Sequence, residues 1–265
     1  MDGYDAATYG DRFAEVYDDW YGDLTDAEAC IDLIAELAAR SPAGHGAEGH
    51  TGDDTNDDDH DTGAVLELGV GTGRLAIPLA GRGLRVVGVD ASPAMLAHLA
   101  AKPGGEQVEA VLGDMAAPPL GDRRFAVVFV AYNTLFNLID PADQQRCLAD
   151  AATRLSPAGS VVVEAFVPEP DRVADAVTAR TITADRVVLS VSRTDAGGQQ
   201  ALGQYVDITE AGIRLRPWHI RWSTPAQLDD MAATAGLVVA DRWADWHLTP
   251  FHADAPAHVT RYVRA

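Results

Sequence analysis

The 265-residue sequence predicts a doubly wound α/β fold, and three observations carry that prediction. From Ala64 onward, short Val-rich apolar runs alternate with segments of helical spacing, the pattern of parallel strands covered by helices on both faces. The stretch "VLELGVGTGRLAIPLA", Val65 to Ala80, breaks an apolar strand into Gly69, Gly71 and Gly73 and then resumes as a helix. After Pro170 the period changes to apolar/polar alternation, the signature of half-exposed antiparallel strands.

In chain order, residues 1–40 read as an N-terminal helical cap. "TDAEACIDLIAELAARS" sets Thr25 three residues before Glu28, the capping-box spacing, and places Cys30, Ile34, Leu37 and Ala38 on one face of a helix over 26–40. Residues 41–63 read as an acidic disordered loop, with six aspartates between 53 and 61 and almost no apolar side chain to order it. "DDTNDDDHD" has neither the sixth-position glycine nor the closing Glu of an EF-hand, so no metal is assigned there.

Residues 64–178 form the predicted core. "AVLELG", "RVVGVD", "QVEAVLGD", "FAVVFVAY" and "SVVVEAFV" are its strands. Its helices are "RLAIPLAGR", "SPAMLAHLAAK" capped by Ser92, and "PADQQRCLADAATRLSPAG", starting on Pro141 and ending on Gly159. Residues 179–222 predict an inserted antiparallel lid of three strands, about 179–194, 199–209 and 212–222, with "DAGGQQ" and "EAGI" as turns. Residues 223–265 predict a helix capped by Thr224 and stopped by Gly236, then a closing β-hairpin.

Charge narrows the partners. Forty acidic residues against twenty basic ones give a formal charge of −20, which repels a phosphate backbone and argues against nucleic acid. Lys102 is the only lysine. Cys30 and Cys147 lack metal-ligand spacing and read as buried thiols of a reducing compartment. No basic-then-apolar leader and no long apolar run is present, so the expectation is a soluble, cytoplasmic protein without a membrane span.

The glycine turn sets backbone N–H groups and a helix N-terminus beside whatever binds at the strand end, as dinucleotide and S-adenosylmethionine sites both do. In the dinucleotide spacing G-x-G-x-x-G the third glycine would fall at Arg74. Glu67, two residues before the first glycine, would repel a pyrophosphate and suits a cofactor carrying an ammonium group. Asp90, ending the second strand, could accept both ribose hydroxyls of either cofactor, which keeps an NAD-dependent oxidoreductase as the alternative.

On these residues the sequence resembles the class I S-adenosylmethionine-dependent methyltransferases, over roughly 64–167 and more loosely beyond. The resemblance implies a Rossmann-like, seven-stranded, mostly parallel sheet whose last strand returns antiparallel. It places the cofactor S-adenosyl-L-methionine against Tyr17, Glu67, Gly69, Gly71, Gly73, Arg74, Asp90, Ala91 and Met95. Asp114 and Met115 of "GDM" would meet the adenine, and Ala131 the methionine end. "YNTLFNL" is similar to the small-molecule members, with Tyr132 and Asn133 at the acceptor entrance. The lead segment "YGDRFAEVYDDWY" supplies Tyr17, with Tyr9, Phe13 and Tyr21 as neighbours.

Such chemistry needs an aligned nucleophile and excluded water, and no metal. An amine acceptor needs only to be deprotonated, whereas a hydroxyl needs a general base, so N- or O-methylation of a small molecule is expected ahead of C-methylation. His219, His247 and Glu164 are the base candidates; Asn133 and Asn137 can orient but not take protons. Trp218, Trp222, Trp243 and Trp246, with Arg216, Arg221 and Arg242 between them, suggest an aromatic, partly cationic acceptor pocket in which Trp218 and Arg221 bind substrate. A cofactor-binding module without catalysis is the further alternative. The lid's exposed edges invite pairing between protomers, a homodimer through the insertion.

Overall fold

The computed structural model describes residues 1–22, 26–40, 63–168 and 175–265. The Thr25 cap, most of the acidic loop and the Pro170 boundary lie outside the described residues.

The core is a seven-stranded sheet built on β1 (Val65–Leu68), β2 (Val86–Asp90), β3 (Val108–Leu112), β4 (Phe125–Val130), β5 (Leu155–Phe166), β10 (Leu237–Trp243) and β11 (Ala257–Arg264). Its order is β10-β11-β5-β4-β1-β2-β3. Strands β1 to β5 pair in parallel, and β11 runs antiparallel to both β5 and β10. Every residue of β1 and β4 is buried, Glu67 included, which is why β4 reads as an unbroken apolar run and β1 as one interrupted only by that acid.

Helices α3 (Ala27–Arg40) and α4 (Ala76–Gly81) bury Ile34, Leu37 and Leu79 on one side of the sheet. On the other side α6 (Pro141–Thr153) and α7 (Pro225–Thr234) bury Leu148 and Leu228. The caps are those the sequence announces. Ser92 Oγ accepts from Met95 N at 3.1 Å to start α5 (Pro93–Ala101), and Thr224 and Gln227 form a reciprocal capping box on α7.

Two element boundaries differ from expectation. Helix α6 ends at Thr153 rather than Gly159, because Leu155 already pairs with Phe125 in the sheet and Pro157 biases its predecessor to extended backbone. The insertion has four strands rather than three: β6 (Ala176–Ile182), β7 (Arg186–Asp195), β8 (Gln200–Thr209) and β9 (Gly212–Arg221). The expected first strand folds back on itself at Thr183–Arg186. There Thr183 N donates to Arg186 O at 2.9 Å and Thr183 Oγ1 donates to Asp185 at 2.8 Å. That turn contains no glycine, so the pattern of turn residues concealed it.

The N-terminal helices α1 (Thr8–Phe13) and α2 (Tyr17–Tyr21) lie between the insertion and the carboxyl ends of the core strands. Polar ties hold them down. Ser92 Oγ donates to Asp11, Thr72 Oγ1 donates to Asp18 at 2.6 Å, and Lys102 pairs with Asp18 at 2.7 Å while donating to Thr72 O. Among the described residues, no helix is long and apolar enough to cross a membrane.

Candidate active site

The glycine turn closes the carboxyl end of β1 with three left-handed residues, Gly69 (φ 77°), Gly71 (φ 55°) and Gly73 (φ 79°). Each is required for a different reason. A Cβ on Gly69 would sit 2.2 Å from Thr134 Cγ2, and one on Gly73 would meet Leu99 at 2.9 Å. Gly71 has no neighbour closer than Met95 Sδ at 4.0 Å, so beyond its conformation it leaves open space beside Asp90.

Asp90 fixes that turn. One carboxylate oxygen accepts from Gly71 N at 2.8 Å and the other from Ser92 N at 2.9 Å, which joins the turn to the start of α5. Burial raises the pKa of Asp90, opposed by these N–H donors.

Glu67 is 5% exposed, and its Oε2 has no hydrogen-bond partner. Burial raises its pKa to about 8, against the opposing pull of Arg74 and of a hydrogen bond from the Ala76 backbone. A buried carboxyl with one oxygen unpaired is costly unless something cationic completes it. Around it Tyr17, Gly69, Arg74, Ala131, Tyr132 and Thr134 line a small space.

A larger cleft adjoins this space through the shared Tyr17, Gly69 and Thr134. Asp90, Ala91, Asp114 and Met115 form one wall, and Thr134, Asn137 and Leu138 another. Asp114 accepts from Ala116 N at 2.8 Å, which holds its carboxylate at the strand end. Met95 is buried behind Gly71 and supports the turn without lining the cleft. The roof is the N-terminal segment Tyr4, Asp5, Ala6, Tyr9 and Gly10, of which the sequence singled out only Tyr9. Tyr9 also shares a hydrogen bond with Tyr21, and Tyr21 one with Tyr205 of the insertion.

At the end of β4, Tyr132 (φ 54°) and Asn133 (φ 61°) are consecutive left-handed non-glycine residues, a conformation that costs energy unless held. Strand β5 holds it. Glu164 Oε2 accepts from Tyr132 N at 2.6 Å, and Asn133 Oδ1 accepts from Phe166 N at 2.6 Å. Glu164 also accepts from Trp246, and burial raises its pKa. Glu164 and Asn133 therefore shape the loop that presents Tyr132 and Asn137, and the Arg74 guanidinium lies 5.5 Å from the Tyr132 ring centroid.

The rest of the expected acceptor wall is dispersed. Trp222 packs with the α6/α7 side, Trp243 and Trp246 with the α3/α4 side, and Trp218 against the N-terminal helices. Arg221 is buried in a network with Gln144, Ser223 and Gln199. Arg242 is held by Thr260 and Asp229. His247 is exposed and pairs with Asp26 at 2.5 Å. His219 is buried behind Tyr4, its Nε2 3.0 Å from Gln200, and burial lowers its pKa. Neither histidine lines the cleft. The aromatic-cationic cluster that does form was not anticipated: Arg180 sits over Trp20, Tyr21 and Tyr205, with Arg186 and Arg216 also beside Trp20.

Residues 65–159 match the family model of a methyltransferase domain. The chain is similar to cypemycin N-terminal methyltransferase of a Streptomyces species, with 34% identity over 181 residues, 66% of this chain and 72% of that protein. Among solved structures it is similar to the CcbJ methyltransferase from Streptomyces caelestis, at 38% identity and a TM-score of 0.83, covering 99% of this chain and 100% of that one. An S-adenosylmethionine-dependent methyltransferase from Clostridium acetobutylicum shares the fold at 13% identity, with a TM-score of 0.76 over 96% and 98% of the two chains. These likenesses remove the nicotinamide oxidoreductase and the non-catalytic module as readings of the glycine turn. The chain belongs to the S-adenosylmethionine-dependent methyltransferases.

Proposed function

We propose that this enzyme methylates an amine of a small-molecule acceptor, using the cleft beneath the N-terminal segment. The observation that carries the cofactor side is the unpaired oxygen of buried Glu67, which an ammonium group would complete. Asp90 would accept the ribose hydroxyls, Asp114 the adenine amine, with Met115 and Leu138 against the ring. Tyr17, between the two spaces, would close over the junction. S-adenosylmethionine supplies an activated methyl group, so the chain's own part is to align the acceptor and keep water out.

An amine is favoured over a hydroxyl because both base candidates of the histidine class are held away from the cleft, while Glu164 is engaged by Tyr132 N and Trp246. The similarity to an N-terminal methyltransferase supports the same choice. Asn137, at the cleft wall, would orient the acceptor nitrogen, and the Tyr132 ring with Arg74 would border its entrance. The proposed partners are thus a small-molecule acceptor and, at the insertion, a second copy of the chain; a cytoplasmic setting and no role for nucleic acid accompany this reading.

The test is methyl transfer from labelled cofactor to a panel of matched amines and alcohols. Turnover of amines with none of the alcohols is expected. Turnover of alcohols alone would overturn the amine assignment.

A further inference from the structure

Three arginines of the insertion gather around Trp20, and their charges are not balanced alike. Arg186 holds Asp207 through hydrogen bonds of 2.8 and 2.6 Å, and Arg216 lies 3.8 Å from the same carboxylate and 4.0 Å from Glu15. Arg180 has no carboxylate partner among the described residues. Its guanidinium donates from Nη2 to Trp20 O at 2.8 Å, which leaves most of its N–H donors to solvent or to a ligand.

The backbone places this side chain deliberately. Ala179 pairs with Leu189 and Thr181 already with Val188, so Arg180 is the extra residue of a β-bulge, a device that re-aims a side chain. Its guanidinium is half-buried, 4.8 Å from the Trp20 ring centroid, 5.2 Å from that of Tyr21 and 5.4 Å from that of Tyr205. Tyr21 in turn meets the two tyrosines of the entrance, with ring centroids 5.0 Å from Tyr17 and 5.9 Å from Tyr132. Burial raises the Tyr132 pKa and the charges of Arg74 and Arg180 both oppose it, so the field of Arg180 reaches the entrance.

We infer that Arg180 binds a carboxylate carried by the acceptor, several bonds away from the amine that takes the methyl group. This deepens the amine reading and rests on it for the position of the nitrogen. A guanidinium fork matches a carboxylate at two points, and the surrounding rings lower the local dielectric and strengthen the pair. One cation without an internal partner matches one negative charge, which favours a carboxylate over a phosphate monoester carrying nearly two. The formal charge of −20 repels an anionic acceptor elsewhere on the surface, so its recognition needs a local cation of this kind.

The aromatic contacts also set the spacing. Arg180 lies over Tyr21, whereas the cation over the Tyr132 ring is Arg74, so the anion site stands one ring away from the entrance. An ω-amino acid spans that gap, and an α-amino acid, with a single carbon between its two groups, does not. Arg180 also ties the insertion to α2 through Trp20 O. A tie alone would affect every acceptor equally, whatever its charge.

Acceptor pairs that differ only in this charge test it: γ-aminobutyrate, ε-aminohexanoate and para-aminomethylbenzoate, each beside its carboxamide, with aminoethyl phosphate as the phosphate arm. Methyl transfer from labelled cofactor gives kcat/KM, and calorimetry on the full chain loaded with S-adenosylhomocysteine gives binding. In at least one pair the acid is expected to exceed its amide about tenfold or more, with Arg180→Gln bringing the two within about twofold and Arg180→Lys keeping part of the preference. Should the Gln variant fail to fold, the Lys variant alone is expected to narrow the preference. No acid-over-amide preference in turnover or binding, a preference for aminoethyl phosphate over every acid, or substitutions that lower acid and amide alike would each overturn the proposal. If no amine is turned over while acids still bind in an Arg180-dependent way, the amine reading fails and the anion site stands, so the two failures are separable.

Discussion

The two sheets of this chain turn their apolar faces in opposite directions. In the central strands of the seven-stranded sheet, apolar residues on both faces are covered by the chain's own helices, and Val65, Val127 and Val162 are fully buried. In the four-stranded sheet the covered face holds an arginine-aspartate pair, Tyr205 and Trp218, while isoleucines and valines face out. Hydrophobic burial accounts for the first arrangement, whereas the second leaves its apolar face open among the described residues. An apolar pattern therefore marks one face of a strand without predicting that the chain itself covers it.

The largest test of the core's side of this comparison is Glu67→Gln, which keeps shape and removes the ability to ionise. Affinity for S-adenosylhomocysteine is expected to fall about a hundredfold, some 2.7 kcal/mol, by calorimetry. A pH signature accompanies it. With its pKa raised to about 8, Glu67 holds its proton at pH 7 in the free protein, so seating an ammonium beside it should release close to one proton. Calorimetry in buffers of differing ionisation enthalpy would read that release, and the Gln variant should lack it. For stability the sign is reversed: the raised pKa costs nothing below the ordinary carboxyl range, and the cost grows as pH rises towards 8 and then levels off.

Next in size, Gly69→Ala should lose about 2 kcal/mol or more in denaturant unfolding. The residue sits at φ 77° with Thr134 Cγ2 where its Cβ would lie, and an L-residue there is strained before any clash is counted. A change below about 0.5 kcal/mol would mean the turn is not held as described.

On the insertion's side, Arg221→Ala should cost about 1–3 kcal/mol of stability through the stranded Gln144 and Ser223 partners, with acceptor KM unchanged. A raised KM at wild-type stability would return Arg221 to the acceptor site. Smallest of all, His247→Ala removes an exposed pair with Asp26 and should shift unfolding by less than about 0.5 kcal/mol, with kcat unaltered across pH.

What the sequence made legible follows the same division. Glycine spacing, an acid before it and strand-end aspartates are local signals, and Glu67, Gly71, Asp90 and Asp114 all lie at the cleft or the space beside it. Trp218, Arg221 and Trp243 fall together by nearness along the chain, yet neighbouring strand residues face opposite sides, and the fold sends each to a different layer. The roof of Tyr4, Asp5 and Ala6 carries no motif at all. It is defined only by where α1 docks, through Asp11 on Ser92, 81 residues away.

The chain's single lysine has a use its electrostatic role conceals. Lys102 joins Asp18 of the N-terminal helices to Thr72 of the glycine turn. Every other basic side chain is an arginine, so an acylating reagent that spares guanidinium meets one side-chain amine in the whole protein. Its rate of acylation would be a built-in gauge of how often the roof lifts from the turn, read from a single peptide by mass spectrometry.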